Sequence, residues 1–245
     1  MCDLLCDVSV NDLADLPSDR IHPTKRERPL ASGQLPVSAA VAMAALGLIL
    51  GPELVLPFGM APLSVLAGYV LVTLLYTFAL KRIPIVDVFV IAVLFTSRLA
   101  FGIALTGVRL SPWLLVFSMF TFLSLCLAKR NTEICLMRSE GGSGAGRGYV
   151  TNDGPLILGL GLSAALGAVL ILILYLIEDA FPLGFYRHPQ FLWVLPGILF
   201  LVFGRIWLVS QRSELCDDPV EFVLTDRQCL LYAVAALSTI ALALA

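Results

Sequence analysis

Residues 11–33 read NDLADLPSDRIHPTKRERPLASG and separate a short apolar N-terminal stretch from a series of long apolar runs. The first half of this segment carries four oxygen-bearing side chains, which follow one another at spacings of one, three and four residues: Asn11, Asp12, Asp15 and Asp19. Residues three or four apart share one face of a helix. Pro17 removes a backbone donor, so the helix is expected to end or bend near Leu16 and leave Asp19 on the exit turn. Oxygen ligands clustered in this way suit Mg²⁺, which takes one or two protein carboxylates and completes its shell with water and phosphate oxygens.

The second half of the segment is basic. Guanidinium and ammonium groups match phosphate oxygens, and four of them follow within ten residues: Arg20, Lys25, Arg26 and Arg28. The basic residues on their own would be explained by membrane topology. Acids and bases together at a membrane boundary favour a functional site over a solvated loop, because ionisable residues there are costly unless they are used.

The two halves together resemble the UbiA superfamily of intramembrane prenyltransferases. Its first acidic motif, Asn-Asp-x-x-Asp-x-x-x-Asp, is matched at every fixed position of residues 11–19. The continuation Asp-Arg-x-His-Pro-x-Lys-Arg-x-Arg-Pro, residues 19–29, is similar to the branch typified by decaprenyl-phosphate phosphoribosyltransferase. In this superfamily the first motif closes the second transmembrane helix. The resemblance therefore implies that residues 1–245 are a single membrane domain that lacks the first span and most of the second.

Composition and hydropathy predict an all-α, polytopic transmembrane bundle. The 245 residues are 59% hydrophobic and 14% charged, with a mean hydropathy of +0.93, which excludes an ordinary soluble domain and disorder. A spanning helix needs about 20 apolar residues, so residues 1–16 can supply only the end of a span. Seven full spans are predicted at residues 37–56, 62–80, 83–106, 111–128, 155–177, 190–209 and 228–245. Pro196 lies inside the sixth of these runs and is expected to interrupt it.

The lysines and arginines fall mainly on alternate loops. Loops 17–36, 81–82, 129–147 and 205–227 hold four, two, four and three of the sixteen. By the positive-inside rule these loops face the cytoplasm and the C-terminus lies on the other side. All candidate site residues fall on this predicted cytoplasmic face, and we expect the membrane to be a bacterial inner membrane.

Other candidates lie at the predicted span ends. Lys81 stands at one span entrance, and Lys129 and Arg130 precede Glu133 by four and three residues, which makes one polar stripe on a helix. A solvated helix end with a weak ion pair would explain the stripe equally simply. Its position, however, corresponds to the second acidic motif of UbiA proteins, and its Lys-Arg-x-x-Glu form is similar to the phosphoribosyltransferase branch. The glycine-rich loop around Arg147 is interpreted as a mobile cytoplasmic loop, with closure of Arg147 over substrate as the functional alternative.

Two ionisable residues fall inside the predicted third span. Asp87 and Arg98 are eleven residues apart, roughly 16 Å along a helix, which is too far for a direct pair. Each is therefore expected to find its own partner within the bundle. Near the C-terminus, Asp226 is expected to cap the last helix.

The resemblance implies a Mg²⁺-dependent transferase that acts on a polyprenyl lipid and a diphosphate donor, with no nucleic acid as partner. The reaction implied is transfer of phosphoribose from phosphoribosyl diphosphate to a polyprenyl phosphate. Prenylation of an aromatic acceptor by an isoprenyl diphosphate is the alternative enzyme, and a membrane transporter is the alternative from another class. Asp12, Asp15 and Asp19 are the expected catalytic and metal-binding residues. Substrate binding is expected from Asn11, Arg20, Lys25, Arg26, Arg28, Lys81, Lys129, Arg130, Glu133 and Arg147.

Overall fold

A computed structural model describes residues 25–27, 29–140, 148–215 and 219–245, together with Leu13, Leu16 and Arg20. Every regular element in these ranges is helical. The α-helices are α1 (Val37–Val55), α2 (Met60–Phe78), α3 (Val86–Thr106), α4 (Pro112–Glu140), α5 (Gly154–Tyr175), α6 (Leu195–Gln211), α7 (Pro219–Thr225) and α8 (Arg227–Leu244).

Seven helical segments of the described chain are long and apolar enough to cross a membrane. They are Val37–Phe58, Met60–Phe78, Val86–Thr106, Pro112–Ser139, Thr151–Ala180, Pro189–Gln211 and Arg227–Leu244. The prediction of an all-α bundle with seven spans is therefore confirmed. The predicted end of a further span, residues 1–16, lies outside the described ranges apart from Leu13 and Leu16, which are helical.

The described residues divide into two compact units. One contains the described residues up to Lys81 together with Ala100–Val108, and the other contains Arg82–Leu99 and Arg109–Ala245. In the first unit, α1 passes through Pro52 and continues into a 3₁₀ turn, Leu56–Phe58. Its buried positions are mostly small and lie on one face of the helix: Ala40, Ala44, Gly47, Gly51 and Val55. Small residues let membrane helices approach closely.

The second unit is built around α4, α5 and α6. Its buried apolar core draws on α4 (Leu127, Ala128, Ile134), α5 (Ile157, Ala165, Ala168) and α6 (Phe203, Ile206, Trp207). Polar side chains join the same helices. Ser210 of α6 donates to the carbonyl of Ala128 (2.7 Å) and accepts from the side chains of Asn131 and Thr132 (3.0 Å each). Buried polar groups need such partners, so this network fixes the register of α6 on α4.

Two helix boundaries differ from the prediction. Helix α4 does not stop where the apolar run ends at Ala128 but continues to Glu140, because the buried polar residues that follow find partners within the protein. Pro196 does not lie in the interior of an α-helix. The span begins as a 3₁₀ helix, Pro189–Val194, and α6 starts at Leu195, which places Pro196 in the first turn where its missing N–H leaves no bond unmade.

Candidate active site

The predicted metal motif, Asn11, Asp12, Asp15 and Asp19, lies outside the described residues. The same holds for Arg28 and Arg147, and all six assignments remain predictions. The backbone N–H of Arg20 donates to the carbonyl of Leu16 at 3.3 Å, and the Arg20 side chain is exposed. Lys25 and Arg26 belong to a short 3₁₀ helix, Lys25–Glu27, on which Arg26 is exposed. Lys81 is half-buried in another 3₁₀ turn, Leu80–Arg82.

The Lys-Arg-x-x-Glu segment lies within α4, in the second unit. The predicted stripe is present, because the guanidinium of Arg130 forms an ion pair with Glu133 one turn further on. The two side chains differ in exposure: that of Arg130 is 5% exposed, whereas that of Glu133 is 31% exposed. Lys129 is half-buried on the same helix. The segment thus presents Glu133 to the surface and turns Arg130 inward.

Asp87 explains why Arg130 points inward. Asp87 lies in the first turn of α3 and is fully buried, and its Oδ2 accepts a hydrogen bond from Nε of Arg130 at 3.1 Å. A buried carboxylate that lost this cation would be strongly destabilising. The expectation that Asp87 has a partner of its own is confirmed, and the partner comes from another helix.

Tyr149 completes the cluster from the connection between α4 and α5. Its hydroxyl donates to Oδ1 of Asp87 at 2.5 Å and accepts from the backbone N–H of Ile85 at 2.7 Å. The Arg130 guanidinium lies 5.9 Å from the centre of the Tyr149 ring. Burial, followed by the hydrogen bond to Asp87, raises the pKa of Tyr149 above its ordinary value, so the phenol stays protonated and remains a donor to Asp87.

The backbone around this cluster is unusual at two places. Ile85 has a φ of +69°, a conformation that a β-branched residue rarely adopts. Gly148 has a φ of +79°, and a methyl group there would lie 2.9 Å from the backbone oxygen of Arg82. The turn before α3 and the Gly148–Tyr149 segment are therefore pressed together. Strain of this kind persists only where the surroundings enforce it.

Asp226 and Arg205 form a second ion pair away from this cluster. Asp226 caps α8, as predicted, by accepting from the backbone N–H groups of Gln228 and Cys229. Its carboxylate also accepts from the Arg205 guanidinium at 2.9 Å and 3.3 Å. The hydrogen bond from Arg205 is the main reason why the pKa of Asp226 falls to about 2. This pair ties α8 to α6.

Arg98, the other ionisable residue of α3, has an aromatic neighbour. Its guanidinium lies 4.9 Å from the centre of the Phe95 ring, which stacks on Phe122 of α4 at 4.6 Å. Asp87 and Arg98 therefore have different neighbours, as expected for two residues too far apart on the helix to pair directly.

Sequence reasoning missed Tyr149 and left Asp87 without a role. The available signals were a carboxylate inside an apolar run, which requires a donor, and a tyrosine directly after a glycine in an otherwise polar connection. No spacing rule links residues 87, 130 and 149, so only the folded chain shows that they meet.

A sequence profile of the UbiA prenyltransferase family matches residues 8–222. The chain belongs to this family, and with its seven apolar helices it is an integral membrane protein. The resemblance seen in the first motif is thereby confirmed.

Three relatives show how far the similarity extends. The protein y4nM of Sinorhizobium fredii is 42% identical over 225 residues, which cover 89% of this chain and 42% of y4nM. The nodulation protein NoeC of Azorhizobium caulinodans is 28% identical over 225 residues, 90% of this chain and 72% of NoeC. Decaprenyl-phosphate phosphoribosyltransferase of Corynebacterium glutamicum is 37% identical over 134 residues, 54% of this chain and 40% of that enzyme. The chain thus spans less than half the length of y4nM and of the Corynebacterium enzyme.

Proposed function

We propose that this protein transfers phosphoribose from phosphoribosyl diphosphate to a polyprenyl phosphate. One observation carries the proposal: residues 11–29 join the family's acidic motif to the Arg-x-His-Pro-x-Lys-Arg-x-Arg-Pro continuation. The similarity to a decaprenyl-phosphate phosphoribosyltransferase over 134 residues supports it. In the reaction, the bond between C1 of ribose and the diphosphate oxygen breaks, a polyprenyl phosphate oxygen bonds to C1, and diphosphate leaves.

The acidic motif is assigned to Mg²⁺ because of its donor set. Three carboxylates and an amide supply hard oxygens, the ligand type that Mg²⁺ prefers: Asp12, Asp15, Asp19 and Asn11. A bound Mg²⁺ would neutralise charge on the leaving diphosphate. The side chains assigned to phosphate binding are Arg20, Lys25, Arg26, Arg28, Lys81, Lys129 and Arg147. Cations of this kind stabilise charge that grows on a departing group.

The reacting face is proposed to be cytoplasmic, in a bacterial inner membrane. The distribution of lysine and arginine over alternate loops supports this orientation. A C-terminal fusion tests it, because the C-terminus is then expected outside the cytoplasm. Alkaline phosphatase fused there should be active and green fluorescent protein dark; the reverse pattern would contradict the orientation.

The direct test of function compares two donors. Detergent-solubilised protein is incubated with MgCl₂ and either labelled phosphoribosyl diphosphate with polyprenyl phosphate, or labelled isoprenyl diphosphate with hydroxybenzoate. We expect labelled lipid and released diphosphate only in the first mixture, and loss of both when EDTA is added. Product in the second mixture alone would favour the aromatic prenyltransferase. A transporter would release no diphosphate from either donor.

Variants of the acidic motif test its role. Asp12→Asn and Asp15→Asn each remove a charge at the proposed metal site, and we expect turnover to fall by about a hundredfold or more. Asp226→Asn is the matched control, since it also neutralises a carboxylate but lies in the α6–α8 pair. Unchanged turnover in both motif variants would refute their assignment.

A further inference from the structure

Arg130 is held by two carboxylates, although its position in the family motif predicts substrate binding. Its Nε donates to Asp87 and its Nη1 to Glu133, and the residue is only 4% exposed. A guanidinium carries its five N–H donors in one rigid plane. Fixing Nε against Asp87 therefore also fixes the direction in which Nη1 points. The buried contact with Asp87 determines where Arg130 can hold Glu133.

Glu133 is the member of this cluster that reaches the surface. Its side chain is 31% exposed, and within the described part of the chain its ion pair with Arg130 is made through Oε2. A carboxylate has about four acceptor positions, so most of its capacity remains for a substrate hydroxyl or a bound cation. The residue that can touch substrate here is Glu133, and Arg130 stands behind it.

The support for Arg130 continues into the strained turn before α3. Both oxygens of Asp87 are used, Oδ2 by Arg130 and Oδ1 by the Tyr149 hydroxyl. The same hydroxyl accepts from Ile85, whose φ of +69° is unfavourable for its side chain. The two hydrogen bonds hold the Asp87 carboxylate in one place, and the bond from Ile85 ties the Tyr149 hydroxyl to the strained turn. Functional sites are where such strain is most often kept.

We propose that Asp87 and Tyr149 are positioning residues for the transfer reaction: they lock Arg130, and Arg130 orients the Glu133 carboxylate that contacts substrate. This inference rests on the proposed function. It assigns to Arg130 an indirect role, in place of direct phosphate binding.

The test is a double-mutant cycle between Asp87 and Glu133. In Asp87→Asn the amide oxygen can still accept from Tyr149, but the amide nitrogen cannot accept from Arg130. Misplacing Glu133 in this way should lower kcat by about tenfold or more. Glu133→Gln removes the oriented charge and should lower kcat further. If Asp87 acts through Glu133, the double variant is no slower than Glu133→Gln alone, because residues that act as a unit are non-additive.

Controls separate positioning from simple destabilisation. Tyr149→Phe keeps the ring but loses the hydroxyl, and it should lower kcat less than Asp87→Asn, since the Arg130–Asp87 contact remains. Asp226→Asn breaks a more exposed ion pair elsewhere in the same unit and should lower the unfolding temperature while leaving kcat and KM unchanged. The inference is overturned if the losses from Asp87→Asn and Glu133→Gln multiply in the double variant, or if Asp87→Asn affects only the unfolding temperature.

A binding readout keeps the two proposals distinguishable. The rise in unfolding temperature caused by phosphoribosyl diphosphate with MgCl₂ is measured for the same four proteins of the cycle. If the wild type transfers nothing but still shows this rise, the proposed function fails. In that case, non-additive thermal shifts across the four proteins support the positioning role, and additive shifts overturn it. A wild type with neither turnover nor a thermal shift overturns both.

Discussion

Gly161 of α5 lies against the Trp207 ring of α6 with no space between them. A methyl group at Gly161 would fall 2.0 Å and 2.2 Å from the ring atoms Cζ2 and Cη2 of Trp207. The ring cannot easily retreat, because Trp207 is buried and its indole N–H donates to Oγ of Ser124 at 3.0 Å. Ser124 in turn donates to the carbonyl of Gly161 at 3.0 Å. Displacing the ring would therefore also break the buried hydrogen bond from the indole to Ser124.

The cost of Gly161→Ala follows from three contributions. Overpacking costs about 1–3 kcal/mol, and leaving the indole N–H unpaired costs about 1–3 kcal/mol. The better helix propensity of alanine returns about 1 kcal/mol. The net loss is roughly 3 kcal/mol, which corresponds to a fall of about 6–12 °C in unfolding temperature for a chain of this size.

Gly159 provides a matched control, because it lies in the same helix and no atom of the described residues is found within 4 Å of a methyl group placed there. Gly159→Ala should be neutral or raise the unfolding temperature by a few degrees, through the same gain of about 1 kcal/mol. The assay is thermal unfolding of detergent-purified protein, followed by loss of the monodisperse peak in size-exclusion chromatography. Equal unfolding temperatures for the two variants would refute the close packing of α5 on α6.

Three further outcomes are expected. Gly148→Ala places a methyl group 2.9 Å from the Arg82 carbonyl oxygen, at a φ of +79° that alanine rarely adopts. It should destabilise the protein by about 1–3 kcal/mol and lower both kcat and the unfolding temperature. An unchanged kcat would argue against the positioning role of Tyr149. Ser210→Ala leaves the buried amide N–H of Asn131 without its Ser210 partner and should cost about 1–3 kcal/mol, measured as a lower urea concentration at the unfolding midpoint. Asp226→Asn keeps a cap but loses the ion pair. Because the folded-state pKa of Asp226 is depressed to about 2, the pair stabilises the protein fully above the ordinary carboxyl pKa, and the difference in stability from wild type should shrink as pH falls from about 4 through 2. A difference that is as large at pH 2 as at pH 7 would contradict the ion pair.

The spans were predictable because the membrane sets one simple condition. Each crossing needs about 20 apolar residues, and seven runs of that length are visible in the sequence and found as helices. The ends of the helices were harder to predict from the sequence. The polar stripe predicted helix as far as Glu133, but the sequence did not indicate that α4 continues to Glu140. Asn131 and Thr132 bond to Ser210 and help to hold this part of the helix in the protein.

The chemistry of the candidate site was only partly predictable. The Arg130–Glu133 pair follows from helical spacing alone, since residues three apart are neighbours on any α-helix. The inward direction of Arg130 does not, because it depends on a carboxylate 43 residues earlier in the chain. The sequence predicted that several basic side chains bind substrate. In the folded protein one of them, Arg130, instead bonds to Asp87.

By itself, the sequence determined the helical class, the seven spans found in the described part of the chain and the family, because these depend on local composition and on a motif of contiguous residues. The tertiary structure alone decided that Asp87, Arg130 and Tyr149 form one buried cluster, with Glu133 at its exposed end. The physical reason is that a buried charge must find its partner in space, wherever the chain supplies one, and separation along the sequence does not limit that choice.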